Sequence, residues 1–334
     1  MTTTSLTLQE IYQLAFDCLC HNGADEENAA AVADNMMAAE RDGSHSHGLF
    51  RLPAHVASLR SGKVRGDARP TLRQLSPALL KVDAGNGYAP LAYKTGLPEL
   101  AKAAKSAGVA MLAITRVHHM AALWQEVEVL AAEDLAAFAC TSYMPAVAPA
   151  GGGAKFFGTN PIAFAWPRPG EAPMVFDMAT ASKAMGEVQI AAREGTPLPP
   201  GVGLDKDGNP TTEAARIVDG GVLLPFGGYK GSAISLMVEL LAGGLIYENF
   251  SYEAKEKDNG DGGPPQGGEF IIAFSPTMIS EGDWQAHCAA FFERLCAIPG
   301  VRLPGSRRWE NRQSDAPRQI DDGLLEKIRA LMAA

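Results

Sequence analysis

The sequence predicts a mixed α/β fold of segregated, α+β character, and three observations carry that prediction. Amphipathic helices fill the first sixty residues. Short apolar strands alternate with helices between residues 79 and 141, and the chain turns β-rich and glycine-rich after residue 142. No Gly-x-Gly-x-x-Gly follows any predicted strand, so a Rossmann domain is unsupported.

The elements follow in order. Thr7 and Glu10 make a capping box for a helix over 7–20, striped by Ile11, Leu14, Ala15 and Cys18 and ended by Gly23. Asp25, Glu26 and Glu27 suit the first turn of a second helix, which runs to Arg41. A third helix ends near Gly62. Strand 79–83 stops at Gly85-Asn86-Gly87, and a helix follows over 89–107. Val109–Ile114 is a strand, and His118-His119 opens a helix through Leu123, Val127 and Leu130. Strands are expected at 136–141, 162–166, 174–177 and 270–274, and helices at 179–192, 283–297 and from Asp321 onward. Residues 195–212 form a proline-rich ordered loop, in which Asp205-Lys206-Asp207-Gly208 is a β-turn rather than a calcium loop. Leu223–Phe226 leads through Gly227-Gly228-Tyr229-Lys230-Gly231-Ser232 into an apolar helix ending near Leu245. The polar stretch 252–268 is expected to be mobile, and 302–308 to be a basic loop.

Composition sets limits. At 334 residues and 46% hydrophobic content, the chain can build one large domain or two ordinary ones. A formal net charge of -9 argues against nucleic acid and acidic membranes as partners, although local arginines can still bind an anion. Five cysteines, an odd number in no zinc spacing, read as buried thiols of a reducing compartment. With no basic–apolar leader and no membrane-length apolar run, the expectation is a cytoplasmic protein.

The chemistry concentrates in Asp42-Gly43-Ser44-His45-Ser46-His47-Gly48-Leu49-Phe50-Arg51. His47 and Arg51 are expected at i,i+4 on one helix face. Imidazole moves a proton near neutral pH, and a guanidinium can grip a carboxylate with two parallel hydrogen bonds. Metal binding by His45 and His47, a capping role, and proton transfer all remain open at this point; no further ligand is evident, so no metal is assigned. His118-His119-Met120-Ala121-Ala122 is either a phosphate-tolerant helix start or a close helix–sheet contact. Arg302, Arg307 and Arg308 are either a solvated loop or a clamp for a phosphorylated cofactor. Glu187 stands in an otherwise apolar helix.

Taken in order, six motifs resemble one family. They are Ser-His-Gly-x-x-Arg at 46–51, His-His at 118, Phe-Gly-Thr-Asn-Pro at 157–161, Phe-Asp-Met-Ala-Thr at 176–180, Gly-Gly-Tyr-Lys-Gly at 227–231 and Arg-Leu-Pro-Gly-x-Arg at 302–307. Nearly the whole chain resembles the malate/L-lactate dehydrogenase type 2 family of NAD(P)-dependent oxidoreductases. Asp-Gly-Ser-His-Ser-His-Gly, Val-Gln-Ile-Ala-Ala-Arg-Glu-Gly at 188–195 and Leu-Leu-Pro-Phe-Gly-Gly at 223–228 look like its bacterial piperideine-2-carboxylate/pyrroline-2-carboxylate reductases.

The resemblance implies a non-Rossmann fold with a helical N-terminal part and a mixed, largely antiparallel sheet. It implies a substrate and dimerisation part at 1–118 plus 309–334, a cofactor part at 119–308, and a homodimer. The implied activity is reduction of a cyclic imine 2-carboxylate by NADPH, with NADH possible, to pipecolate or proline. The implied alternatives are a 2-hydroxyacid dehydrogenase and a non-catalytic NADP-binding sensor. Carried over by position, His47 is the proton donor, Ser46 and Glu187 are its relay partners, and Arg51 binds the substrate carboxylate. Cofactor contacts fall on His119, Met120, Ala121, Ala122, Leu123, Thr159, Asp177, Met178, Ala179, Lys230, Arg302, Leu303, Pro304, Gly305, Ser306, Arg307 and Arg308. At the Glu187 position the family's hydroxyacid dehydrogenases usually carry lysine and its imine reductases aspartate, so an acid there favours the imine branch.

Overall fold

The computed structural model describes residues 2–333. The chain runs β1 (Thr3–Leu6), α1 (Leu8–His21), α2 (Glu26–Arg41), α3 (Leu52–Arg60), β2 (Thr71–Ser76), β3 (Leu79–Asp83), α4 (Ala89–Ala107), β4 (Val109–His118), α5 (Trp124–Ala131) and β5 (Ala136–Thr141). It continues through β6 (Ile162–Trp166), β7 (Met174–Met178), α6 (Met185–Glu194), β8 (Gly203–Leu204), β9 (Pro210–Thr211), α7 (Ala214–Val218) and β10 (Val222–Leu223). Then come α8 (Tyr229–Glu239) with a π-helical extension (Leu240–Leu245), α9 (Ser251–Glu256), β11 (Gln266–Phe274), α10 (Pro276–Ile279), α11 (Trp284–Cys296), α12 (Ser306–Arg312), β12 (Arg318–Asp321) and α13 (Asp322–Ala333).

One seven-stranded sheet, ordered β2-β3-β4-β11-β5-β6-β7, organises the molecule. Only β3 and β4 are parallel, and α4 is their crossover; every other neighbouring pair is antiparallel. This is the mixed, largely antiparallel sheet expected. Helices α4 and α5 cover one face, packing Leu97, Leu100, Val127 and Leu130 on Leu112, Ile114 and Ile271. Gly96 allows close approach, since a Cβ there would lie 2.6 Å from Leu112 Cδ2. The other face packs Cys140, Ile162 and Phe270 against Val238 of α8. A second core joins α1, α2 and α3 to α13. Its start is set by the predicted capping box, in which Thr7 N–H donates to Glu10 Oε2 (2.8 Å) and Glu10 N–H to Thr7 Oγ1 (3.2 Å). A third, smaller core lies under α6, α7 and β10.

Several expectations need correction. His47 and Arg51 do not share an α-helix: two single 3-10 turns, His45–His47 and Leu49–Arg51, precede α3. Strand β4 runs four residues further than expected, to His118, and α5 starts only at Trp124, leaving 119–123 as an irregular turn. The helix expected from 179 starts at Met185. Within 252–268, α9 and the start of β11 take up both ends, and Asp258 and Asp261 pair with Lys63 beside α3. Arg307 and Arg308 open α12 instead of lying in a loop. Cys296 is exposed, and Cys20 and Cys288 are only half-buried; Cys18 and Cys140 are buried as expected. The small sheet β1–β12, which ties the two ends of the described chain together, had no sequence signal.

Candidate active site

The turn between α2 and α3 is built around Glu40. Its side chain, 3% exposed, takes His45 Nδ1 at 2.6 Å and the Leu49 N–H at 2.9 Å. Gly48 is required there, since a Cβ would lie 2.1 Å from Glu40 Oε1. His45 is thereby tied to α2, and the bond to Glu40 raises its pKa. The paired-histidine metal reading loses its geometry, because His47 turns to a different partner. His47 Nδ1 and Ser46 Oγ are 3.0 Å apart. Arg51 Nε donates to the Ser46 carbonyl at 2.9 Å, so the backbone between the two side chains is locked.

His47, Arg51, His119, Met120, Ala121 and Thr159 line one cleft of about 310 Å³. It opens at the sheet end where β4, β5 and β7 finish and β6 and β11 begin. Burial, then the charges of Arg51 and His119, push His47 down to about 3. A relay carboxylate would favour the charged ring, but these surroundings favour the neutral imidazole at neutral pH. Arg51 is held below its ordinary value by burial. Among the described residues no carboxylate lies within 4.0 Å of it. The sequence did not single out Tyr143, Met144, Lys155, Gln189 or Ile217 as cleft lining. They come from loops and short elements with no periodic pattern. A larger hollow of about 440 Å³ beside α11 is lined by Pro167, Trp284, Phe292 and Cys296 and holds no histidine, so size alone does not mark the site.

Glu187 does not line the cleft. Its carboxylate pairs with Lys183 at 3.0 Å and is 54% exposed. The neighbouring Gly186 touches the site instead, since a Cβ there would lie 3.1 Å from Arg51 Nη2 and 3.3 Å from Ser46 Cβ. The start of α6 thus closes over Ser46 and Arg51.

The basic segment 302–308 docks on the edge strand β7, outside the cleft wall. Val175 N–H donates to the Pro304 carbonyl (3.2 Å), and Arg308 Nη2 donates to the Val175 carbonyl (2.8 Å). Gly305 takes φ 90°, and a Cβ on it would meet the Val175 carbonyl at 2.9 Å. Arg308 and Arg312 both lie over the Trp124 ring, at 5.3 and 5.1 Å. Asp177 on β7 accepts from the Trp124 N–H at 3.0 Å, joining β7 to the turn 119–123. Ser306 Oγ and Arg308 Nε are buried donors without a protein partner. Such orphaned donors on a basic turn fit a phosphorylated dinucleotide. Ala122 and Leu123 are buried behind the cleft, whereas Met178, Lys230, Arg302 and Arg307 are exposed outside it and Ala179 is half-buried.

Residues 6–329 match the malate/L-lactate dehydrogenase family. The chain is 47% identical to a Δ1-pyrroline-2-carboxylate reductase of Ancylobacter novellus, with 98% of this chain and 97% of that one aligned. It is 45% identical to a Δ1-pyrroline-2-carboxylate/Δ1-piperideine-2-carboxylate reductase of Pseudomonas aeruginosa, over 98% and 99% of the two chains. The crystal structure of Δ1-piperideine-2-carboxylate reductase from Pseudomonas syringae pv. tomato superposes with a TM-score of 0.93 at 42% identity, covering 98% of this chain and all of that one.

Proposed function

Because the chain belongs to the malate/L-lactate dehydrogenase family, we propose that it reduces cyclic imine 2-carboxylates, Δ1-piperideine-2-carboxylate and Δ1-pyrroline-2-carboxylate, with NADPH. The observation that carries this reading is Arg51, half-buried in the cleft beside His47 with no carboxylate among the described residues to pair with. A substrate carboxylate on Arg51 would satisfy that guanidinium by a charge-assisted pair. It would also set the ring beside His47.

A bound nicotinamide supplies the hydride that reduces the C=N carbon. His119, Met120, Ala121 and Thr159 would hold it at the cleft, with Ser306 and Arg308 taking its phosphates. His47 holds or delivers the proton that the imine nitrogen needs. Its Nδ1 is engaged by Ser46, which leaves Nε2 for the substrate. Once a substrate carboxylate offsets the Arg51 charge, one of the two repulsions against a protonated His47 is relieved. The apolar side chains of Met144, Met185 and Ile217 suit the methylene carbons of the ring. The exposed apolar residues Leu236, Met237, Leu240 and Leu245 on α8 and its extension support a homodimer.

The test is NADPH oxidation measured with both imines, NADH as the competing cofactor, and malate and lactate as competing substrates. Turnover of either imine, faster with NADPH, is expected. Robust malate or lactate oxidation with no imine turnover would sink the proposal.

A further inference from the structure

Behind the cleft wall lies a cluster that the proposed reaction leaves unused. Glu126 of α5 and Glu269 of β11 are both fully buried in the apolar layer under α4 and α5. Strand alternation sets Glu269 on the same face as the core residues Ile271 and Ala273. One nitrogen of His119 and one oxygen of each carboxylate lie within 4.8 Å of one another. A single hydrogen bond is made among them, His119 Nε2 to Glu126 Oε1 at 3.1 Å. Glu126 Oε2 and both Glu269 oxygens have no partner.

Two ionised carboxylates cannot persist in such a place without compensation. The other titratable groups near the pair are Tyr93 of α4, Asp177 of β7 and, on the far face of the sheet, Cys140 of β5, and none is a cation. Burial, followed by the charge of Glu126, pushes Glu269 up to about 8; burial, followed by the charge of Asp177, drives Glu126 well above the ordinary carboxylate range. Three protein donors in a closed site fall short of the usual four-ligand shell of a structural zinc. A proton is the simpler counter-charge.

We propose that Glu126 and Glu269 share one proton and that this pair positions His119. A Glu269 O–H donates to Glu126 Oε2. Glu126 Oε1 accepts the Nε2–H of His119, which fixes the tautomer and leaves Nδ1 as an acceptor toward the cleft that His119 lines. An acceptor there suits a neutral amide N–H, such as that of a nicotinamide carboxamide. This last step rests on the proposed function; the shared proton does not.

Infrared spectra of the intact protein at neutral pH read the pair with no substrate present. A carbonyl stretch of a protonated carboxylic acid is expected in the wild type and should vanish in Glu269→Gln. Nitrogen-labelled histidine NMR should show one tautomer for His119 in the wild type and in Glu269→Gln, and a mixture in Glu126→Gln. With both variants folded by thermal melting, the Glu269→Gln amide replaces the shared O–H as a donor to Glu126, so KM for NADPH should rise less there than in Glu126→Gln. Glu126→Gln should raise KM for NADPH about tenfold, on the scale of a lost charge-assisted hydrogen bond. Coincident infrared spectra of wild type and Glu269→Gln would overturn the shared proton. So would one divalent cation per chain by elemental analysis that Glu269→Gln loses. An unchanged tautomer in Glu126→Gln would overturn the positioning role. If neither imine turns over while the infrared band behaves as expected, only the reading of the reaction fails.

Discussion

The two histidine pairs of this molecule share a plan and differ in electrostatics. In each, one ring is tied back and the other lines the cleft. His45 is bound to Glu40, and His118 Nδ1 lies 3.1 Å from the Pro264 carbonyl. His47 and His119 face the cavity. His47, however, has a hydroxyl and a guanidinium as neighbours, whereas His119 has two buried carboxylates behind it. One ring is held neutral by burial and by positive charge; the other is pinned by an anionic acceptor. This difference suits the proposed roles, proton handling on one wall and cofactor orientation on the other.

The sharpest way to break this distinction is His47→Ala. Loss of the ring proposed to hold or deliver the imine proton is expected to lower kcat by about 10²–10⁴-fold, with the thermal midpoint retained. A loss below tenfold in steady-state assays would leave His47 no different from His119. Next in size is Arg51→Met, which removes both the proposed carboxylate anchor and the charge that opposes a protonated His47. A fall of about a hundredfold in kcat/KM is expected. The His47 ring should titrate at a higher pH by NMR, since one of its two repulsive neighbours is gone. Arg51→Lys should recover only part of the loss, because a lysine cannot form the planar two-bond grip. Gly186→Ala comes third. Its new methyl would press on Arg51 Nη2 at 3.1 Å and on Ser46 Cβ at 3.3 Å. About a tenfold fall in kcat/KM with little change in melting temperature is expected, on the scale of misplacing a reacting group.

Much of this was legible in the sequence, for reasons that differ by element. Helix α1 and its cap, α4 with its glycine stop, and strands β3, β5 and β6 follow from periodicity and local turn chemistry. The His47 turn was located but misbuilt, because what shapes it is Glu40, a buried acid on α2 that accepts from Leu49. No local pattern announces such a tertiary acceptor. The Glu126–Glu269 pair was missed for the opposite reason: Glu126 stands between Gln125 and Glu128 and Glu269 follows two glycines, so each is read as solvent-facing unless strand and helix parity are followed residue by residue. The docking of 302–308 onto β7 depends on backbone bonds to Val175, which composition does not encode.

The histidines also give a pH signature, read in stability rather than in rate. His45 is raised by its bond to Glu40, so its contribution to stability is present below the unfolded value of about 6.5 and is lost as pH climbs through its folded value. His47 at about 3, and the buried His55 and His118 at about 4, behave in the opposite sense. Their folded forms bind fewer protons than the unfolded chain between those values and pH 6.5. Stability from them is therefore complete above pH 6.5 and falls on acidification, by about 1.4 kcal/mol per pH unit for each ring. Urea unfolding from pH 7 to pH 4 should show that slope reduced in His118→Gln and unreduced in His45→Gln.

The smallest expected effect tests a predicted catalytic residue at which resemblance and geometry part. An acid at position 187 fits the imine branch of the family, but here its carboxylate faces Lys183 and is half in solvent. A carboxylate so placed gains little from its ion pair and exerts little on His47 across water. Glu187→Gln should then change kcat by about threefold or less, and Lys183→Met should do no more. A tenfold loss in Glu187→Gln would mean that the carboxylate leaves Lys183 when substrate binds and joins Ser46 and His47. In that case Lys183→Met, which frees Glu187 beforehand, should raise kcat, and the His47 wall would acquire the acidic partner that now distinguishes the His119 wall from it.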